Sequence, residues 1–190
     1  MRLFVALTPP AESLAELDRA VAPLRQDWPQ LRWAAPDRWH VTLAFLGDVP
    51  EEKLTGLNER LGRAAGRHRP MRLRMGAGGA FPSAAKARVL CVHIGGPAED
   101  LTGLRRLAGS VAAGARRAGA PPPDEGRRYR PHVTLARSRE PGNLSVLVRA
   151  LSGFAGSAWI ADQIHLIRSQ TGPQPRYQTI GTWQLRPPPR

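Results

Sequence analysis

Trp39-His40-Val41-Thr42-Leu43-Ala44-Phe45-Leu46-Gly47 decides the reading of this chain, because His40-Val41-Thr42-Leu43 recurs letter for letter as His132-Val133-Thr134-Leu135. Side chains alternate faces along an extended strand. His40, Thr42 and Ala44 are therefore expected on one face, and Val41, Leu43 and Phe45 on the other. The second copy has the same parity, with Val133 and Leu135 turned one way and His132 and Thr134 the other, beside the small Ala136. One face of each strand reads as core and the other as chemistry.

Working outward from the first copy, Arg2 to Leu7 is a short apolar run closed by Pro9-Pro10, the length and bounding of a buried strand. Leu14, Leu17, Val21 and Leu24 recur at helical spacing and predict a helix from Ala11 to near Arg25. The prolines between Trp28 and Pro36 exclude regular helix there. Leu54, Leu57 and Leu61 predict a second helix from Glu51 to Arg69. Met71, Leu73 and Met75 alternate with Arg72 and Arg74 in a strand that runs into Gly76-Ala77-Gly78-Gly79-Ala80-Phe81-Pro82. Those glycines lack the lysine and following helix of a phosphate loop, so a bulge or turn is expected.

A strand at Arg88 to Ile94 and a helix from Glu99 to about Arg117 follow, the latter striped by Leu101, Leu104, Leu107 and Val111. A Pro- and Arg-rich loop over 118–130 delivers the second copy. A short helix around Asn143 to Leu151, strands at Trp159 to Ile167 and Tyr177 to Leu185, and a turn at Ser169 to Pro173 complete the chain. This order predicts an α+β fold of two pseudo-symmetric lobes of largely antiparallel sheet with outer helices, and a central cleft carrying two HxT motifs. The expected unit is one bilobal domain over residues 1–190, flexible at 187–190.

With 190 residues, 42% of them hydrophobic, the chain can bury one substantial core. It has no apolar stretch of the ~18 residues a membrane-crossing helix needs. Leu3 to Leu7 is too short for a signal peptide, so the mature chain is expected to begin here and to be cytoplasmic. The single cysteine, Cys91, excludes an intramolecular disulfide and a cysteine-rich metal site. The formal charge of +13 favours polyanions. Because only Lys53 and Lys86 are lysines in a chain heavy in Ala, Gly and Pro, coding composition is an equal explanation of the arginines.

Displacement at phosphorus places attacking and leaving oxygens roughly in line, so it needs a proton acceptor on one side and a donor on the other. Two facing HxT strands supply both. Histidine titrates near 6.5, so one imidazole can be neutral and the other charged near neutral pH without large tuning. A threonine about 6.6 Å along each strand can donate its hydroxyl to a phosphoryl oxygen. A bis-histidine metal site is the chemical rival, but neither motif has a carboxylate or third histidine at ligand spacing. His68 is expected to be solvated on a basic helix, and His93 and His165, in apolar strand runs, to be structural.

These residues resemble the two-histidine phosphoesterase superfamily, and within it the LigT-like RNA 2′,3′-cyclic phosphodiesterases, historically called 2′-5′ RNA ligases. The likeness runs through Arg2 to Leu7, Trp33 to Gly47, Phe81-Pro82, Arg130-Pro131-His132-Val133-Thr134-Leu135-Ala136-Arg137, and Ser169, Gly172 and Tyr177. It implies metal-independent opening of a terminal cyclic phosphate to a 2′-phosphate. His40 would be the proton donor to the leaving oxygen and His132 the proton acceptor that activates water. Thr42 and Thr134 would bind the phosphate. The motifs alone leave acid and base unassigned. Arg130 shares the strand parity of His132, and Arg137 matches a basic residue common after the second motif; either could neutralise the phosphate. The expected partner is RNA with a 2′,3′-cyclic phosphate end, such as a tRNA fragment, bound by a monomer with no cofactor and no membrane. Run in reverse, the same groups could ligate. The alternatives are a phosphodiesterase acting on a small cyclic nucleotide and a non-catalytic RNA-end-binding protein.

Overall fold

The repeated motif makes two strands that meet each other. In the computed structural model, which describes residues 1–123, 128–170 and 176–186, Val41 of the first copy pairs antiparallel with Val133 of the second. The expected turn at 171–173, Gly172, Arg127 and the expected tail at 187–190 lie outside the described residues. The elements are β1 (Arg2–Leu7), α1 (Ala11–Asp27), β2 (Arg32–Trp33), β3 (Val41–Asp48), α2 (Leu54–Ala65), β4 (Met71–Phe81) and β5 (Ala87–Gly95). There follow α3 (Ala98–Arg117), β6 (His132–Gly142), α4 (Ser145–Ala150), β7 (Trp159–Ala161), β8 (Gln163–Gln170) and β9 (Arg176–Gln184).

The strands form one sheet in the order β7-β4-β5-β6-β3-β1-β8-β9, with β2 paired to β6. The described pairings are antiparallel. This is the α+β, largely antiparallel class read from the sequence, with the two lobes realised as halves of a continuous sheet. The halves are interlaced: β4, which follows the first motif strand, joins β5 in the second half, and β8, which follows the second, joins β1 in the first.

Helices bury their apolar stripes against one face. Leu17 and Val21 of α1, Leu57 and Leu61 of α2, and Leu104, Leu107 and Val111 of α3 share a core with Leu3, Val5, Leu73, Leu90, Val92, Val133 and Leu135. Each such side chain contributes about 1.5–3 kcal/mol by leaving water. No described helix is long and apolar enough to cross a membrane.

The simple alternation expected for the motif strands is broken by a bulge in each. Val5 faces Ala44 but Ala6 faces Thr42, so Leu43 is an extra residue; Leu90 faces Ala136 but Cys91 faces Thr134, so Leu135 is its counterpart. Two consecutive residues then turn to the core, Leu43 with Ala44 and Leu135 with Ala136. Parity is reversed from there to a second register shift, at Leu46 in β3 and between Arg137 and Gly142 in β6. Ala44 leaves the histidine face, and Phe45 joins it to pack against Phe4, Ala6 and Ile167. Arg137 sits at the position of the second copy that corresponds to Phe45, and the register carries it to the face of His132.

Other boundaries differ from the expectation for local reasons. The glycine run is strand rather than turn, with a bulge between Met75 and Gly78. A Cβ at Gly78 would lie 2.7 Å from Leu151 Cβ, because α4 passes close over the strand. The run from Trp159 to Ile167 is two strands: β7 pairs with β4 at one edge, while β8 pairs with β1 in the other half. The second helix is shorter than Glu51 to Arg69, beginning after a 3-10 turn at Glu51–Lys53.

Candidate active site

Each histidine is fixed by the residue two before it. His40 Nδ1 donates to the Arg38 carbonyl at 2.7 Å, and His132 Nδ1 donates to the Arg130 carbonyl at 2.7 Å. A carbonyl only accepts, so the proton is held on Nδ1 and the neutral ring presents its lone pair at Nε2. Both imidazoles are thereby set as bases when neutral and as Nε2–H acids when charged.

Their surroundings favour the neutral form. Burial pushes His40 below the ordinary histidine value; the Arg38 carbonyl opposes this, and the His132 and Arg137 charges add to it. Burial likewise lowers His132, against the Arg130 carbonyl and together with His93 and Arg137. Burial and the cluster of positive groups act on both rings in the same direction.

Thr42 and Thr134 occupy the same face as their histidines, opposite Ala6 and Cys91 respectively. Arg137, whose odd spacing from His132 argued for the opposite face, is brought round by the Leu135 bulge and acts electrostatically on both imidazoles. Arg130 is exposed, with its guanidinium carbon 5.9 Å from the centre of the Phe81 ring. The sequence-derived candidates His40, Thr42, His132, Thr134 and Arg137 thus share one face, while Arg130 flanks it. Tyr129 donates its hydroxyl to the Thr42 carbonyl at 3.0 Å and ties the segment before the second motif to β3; burial raises its own pKa.

Beside His132 a groove of about 730 Å³ opens, lined by Thr42, Phe45, Phe81, Arg128, Arg130 and His132, and reaching Arg105 and Arg116 on α3. Its described lining holds no carboxylate. Among the described residues no three His, Cys, Asp or Glu side chains gather as a metal-binding group.

Residues 7–91 and 96–177 match the family of LigT like Phosphoesterases. The chain belongs to the LigT-like phosphoesterase family. An RNA 2′,3′-cyclic phosphodiesterase of Thermus thermophilus is 31% identical over 197 residues, which cover 98% of this chain and 91% of that protein. The crystal structure of TT0787, also of Thermus thermophilus, superposes with a TM-score of 0.75 at 29% identity, over 97% of this chain and 98% of that one. Escherichia coli LigT complexed with 3′-AMP gives 0.70 at 26% identity, over 97% and 96%.

Several features of this LigT-like site escape sequence reading. His40 rests on Phe4 with ring centres 4.6 Å apart and meets the edge of Tyr177 at 5.5 Å; His132 lies 4.8 Å from Phe81. Phe4 reads as core from its position in an apolar run, and only the register places it under His40. The repeated Arg-x-His of Arg38 and Arg130 was a usable signal, since each histidine donates to the carbonyl of its arginine. His93 and His165, read as structural, belong to the motif face, His165 bonding Thr182 Oγ1 at 3.0 Å. His68 is not on the helix but in the turn after it, half-buried, with Nε2 2.8 Å from Ser110 Oγ of α3.

Proposed function

We propose that this chain hydrolyses RNA 2′,3′-cyclic phosphate ends to 2′-phosphates by two-histidine acid-base catalysis. The observation that carries the reading is the pair of Nδ1-anchored imidazoles on one sheet face, both within the influence of Arg137. The relatives named RNA 2′,3′-cyclic phosphodiesterase support the choice of substrate.

In the proposed reaction His132 Nε2 takes a proton from water as the water oxygen bonds to phosphorus. The bond to the 3′ oxygen breaks, and His40 Nε2–H protonates that oxygen as it leaves. One water is consumed, and both imidazoles end in swapped protonation states that exchange with solvent. A bound phosphate anion favours the charged, proton-donating form of His40 against the burial and the His132 and Arg137 charges that lower its pKa. The Thr42 and Thr134 hydroxyls donate to phosphoryl oxygens, and Arg137 balances their charge. An RNA 5′-hydroxyl in place of water gives a 2′-5′ bond by the same proton transfers.

The arginine-lined groove extends the proposal to an oligonucleotide substrate, its backbone following Arg130, Arg128 and Arg105 away from His132. The working unit is taken as a cytoplasmic monomer. A non-catalytic end binder would use the same cleft. The His40→Ala protein distinguishes them: it should bind an oligonucleotide with a cyclic phosphate end about as well as the wild type and turn it over at least roughly a hundredfold more slowly. Unchanged turnover would sink the catalytic reading.

A further inference from the structure

The two motifs are related by the pairing of Val41 with Val133, yet their surroundings are not equivalent, and the difference is a third imidazole. His93 of β5 stands directly opposite His132 of β6. Side chains so placed in antiparallel strands have Cβ atoms ~4.5–5.5 Å apart. Phe81 touches both rings, lying 4.8 Å from His132 and 6.4 Å edge-on from His93. The glycine at 79 is what admits this arrangement: a Cβ there would fall onto Nε2 of His93. Beside His40 the rings are Phe4 and Tyr177, and among the described residues no third histidine is paired opposite it across a strand.

We propose that His93 is a positioning residue for His132: it confines the ring together with Phe81 and, by like-charge repulsion, keeps His132 in the neutral, proton-accepting form. Two neighbouring imidazoles resist being cations together, and His93 contributes to holding His132 low. Among the described residues the other charged and titratable groups around His132 are His40 from the segment before β3, Arg137 from β6, Arg128 and Arg130 from the segment before β6, and Arg105 and Arg116 of α3 along the groove; β4 contributes the uncharged Phe81. Arg137 acts on both motif histidines alike, and each ring also has a neighbouring imidazole, His132 for His40 and His93 for His132. The inference rests on the acid-base reading proposed above.

The test uses the whole protein in three forms: wild type, His93→Gln and His93→Lys. The titration midpoint of the His132 ring is followed by NMR and the acidic limb of the pH profile of kcat/KM by assay. Glutamine removes the repelling charge and should raise the His132 midpoint by roughly half a pH unit, the shift that one solvent-exposed charge at about 6 Å produces. Lysine makes the charge permanent and should lower it. The acidic limb should move in the same direction in each case. Gly79→Ala leaves His93 in the sequence but displaces its ring, and should move the midpoint as glutamine does. Midpoints that stay in place, or move the same way in both His93 variants, would overturn the proposal. Because the NMR readout needs no turnover, loss of the cyclic phosphodiesterase reading would appear separately, as absent activity with the midpoints still shifting.

Discussion

Arg137→Gln is the substitution that most sharply separates the folded site from a flat reading of the motif. By alternation Arg137 would stand on the face opposite His132, in the core, and its replacement would act through packing. The bulge at Leu135 instead turns it to the histidine face, where its charge lowers the proton affinity of both imidazoles. A charge-assisted hydrogen bond to a phosphoryl oxygen is worth about 1.5–3 kcal/mol. Its loss should lower kcat/KM on a cyclic-ended oligonucleotide by roughly 10- to 100-fold. The sign of the pH effect follows from the same contact. Removing a positive charge raises both imidazole pKa values, so the acidic limb of kcat/KM should move to higher pH. Arg137 is exposed, and its replacement should change unfolding free energy by less than about 0.5 kcal/mol. Steady-state kinetics from about pH 5 to 9, with urea unfolding as control, checks all three. Activity within about twofold of wild type and an unmoved limb would refute the assignment.

Tyr129→Phe removes the hydroxyl bonded to the Thr42 carbonyl and should destabilise the fold by about 1 kcal/mol, read as a lower urea midpoint at unchanged m-value. His40, His68, His132 and His165 all have lowered pKa values, with burial the largest cause in each. Their stabilising contribution is present above the unfolded value of about 6.5 and lost as pH falls through the lowered folded values. Urea midpoints should therefore drop between about pH 7 and 5, and a flat curve would contradict the burial of these rings. Gly78→Ala, whose Cβ would meet Leu151 Cβ at 2.7 Å and the Val148 carbonyl at 3.1 Å, should cost about 1–3 kcal/mol. Gly56→Ala, inside α2 with nothing within 4 Å, should gain roughly 0.5–1 kcal/mol in the same denaturation series.

The strands and helices were legible wherever one periodicity ruled a whole element. Leu101, Leu104, Leu107 and Val111 mark α3, although Leu101 lies at the margin of its buried face. The two histidines and threonines were legible because repetition in a short chain is hard to explain by strand preference alone. What one strand's pattern cannot carry is its neighbours' register. The extra residues Leu43 and Leu135 are ordinary strand leucines in sequence and become bulges only against β1 and β5. That single displacement reassigns Ala44, Phe45, Ala136 and Arg137. The exchange of β4 and β8 between halves is equally silent, since an apolar strand does not name its partner. Arg137 was reached through family likeness, against its parity, and His93 was read as structural because it lies between the apolar Val92 and Ile94.

Opening of a terminal cyclic phosphate by the two anchored imidazoles is read from the fate of that phosphate. An oligoribonucleotide ending in 2′,3′-cyclic phosphate is incubated with the protein in EDTA, and the position of the product phosphate is identified. The expected product is a 2′-phosphate, lost when either His40 or His132 is replaced by alanine. A 3′-phosphate would contradict the assigned leaving oxygen. A cyclic end left intact by correctly folded protein would contradict the activity itself.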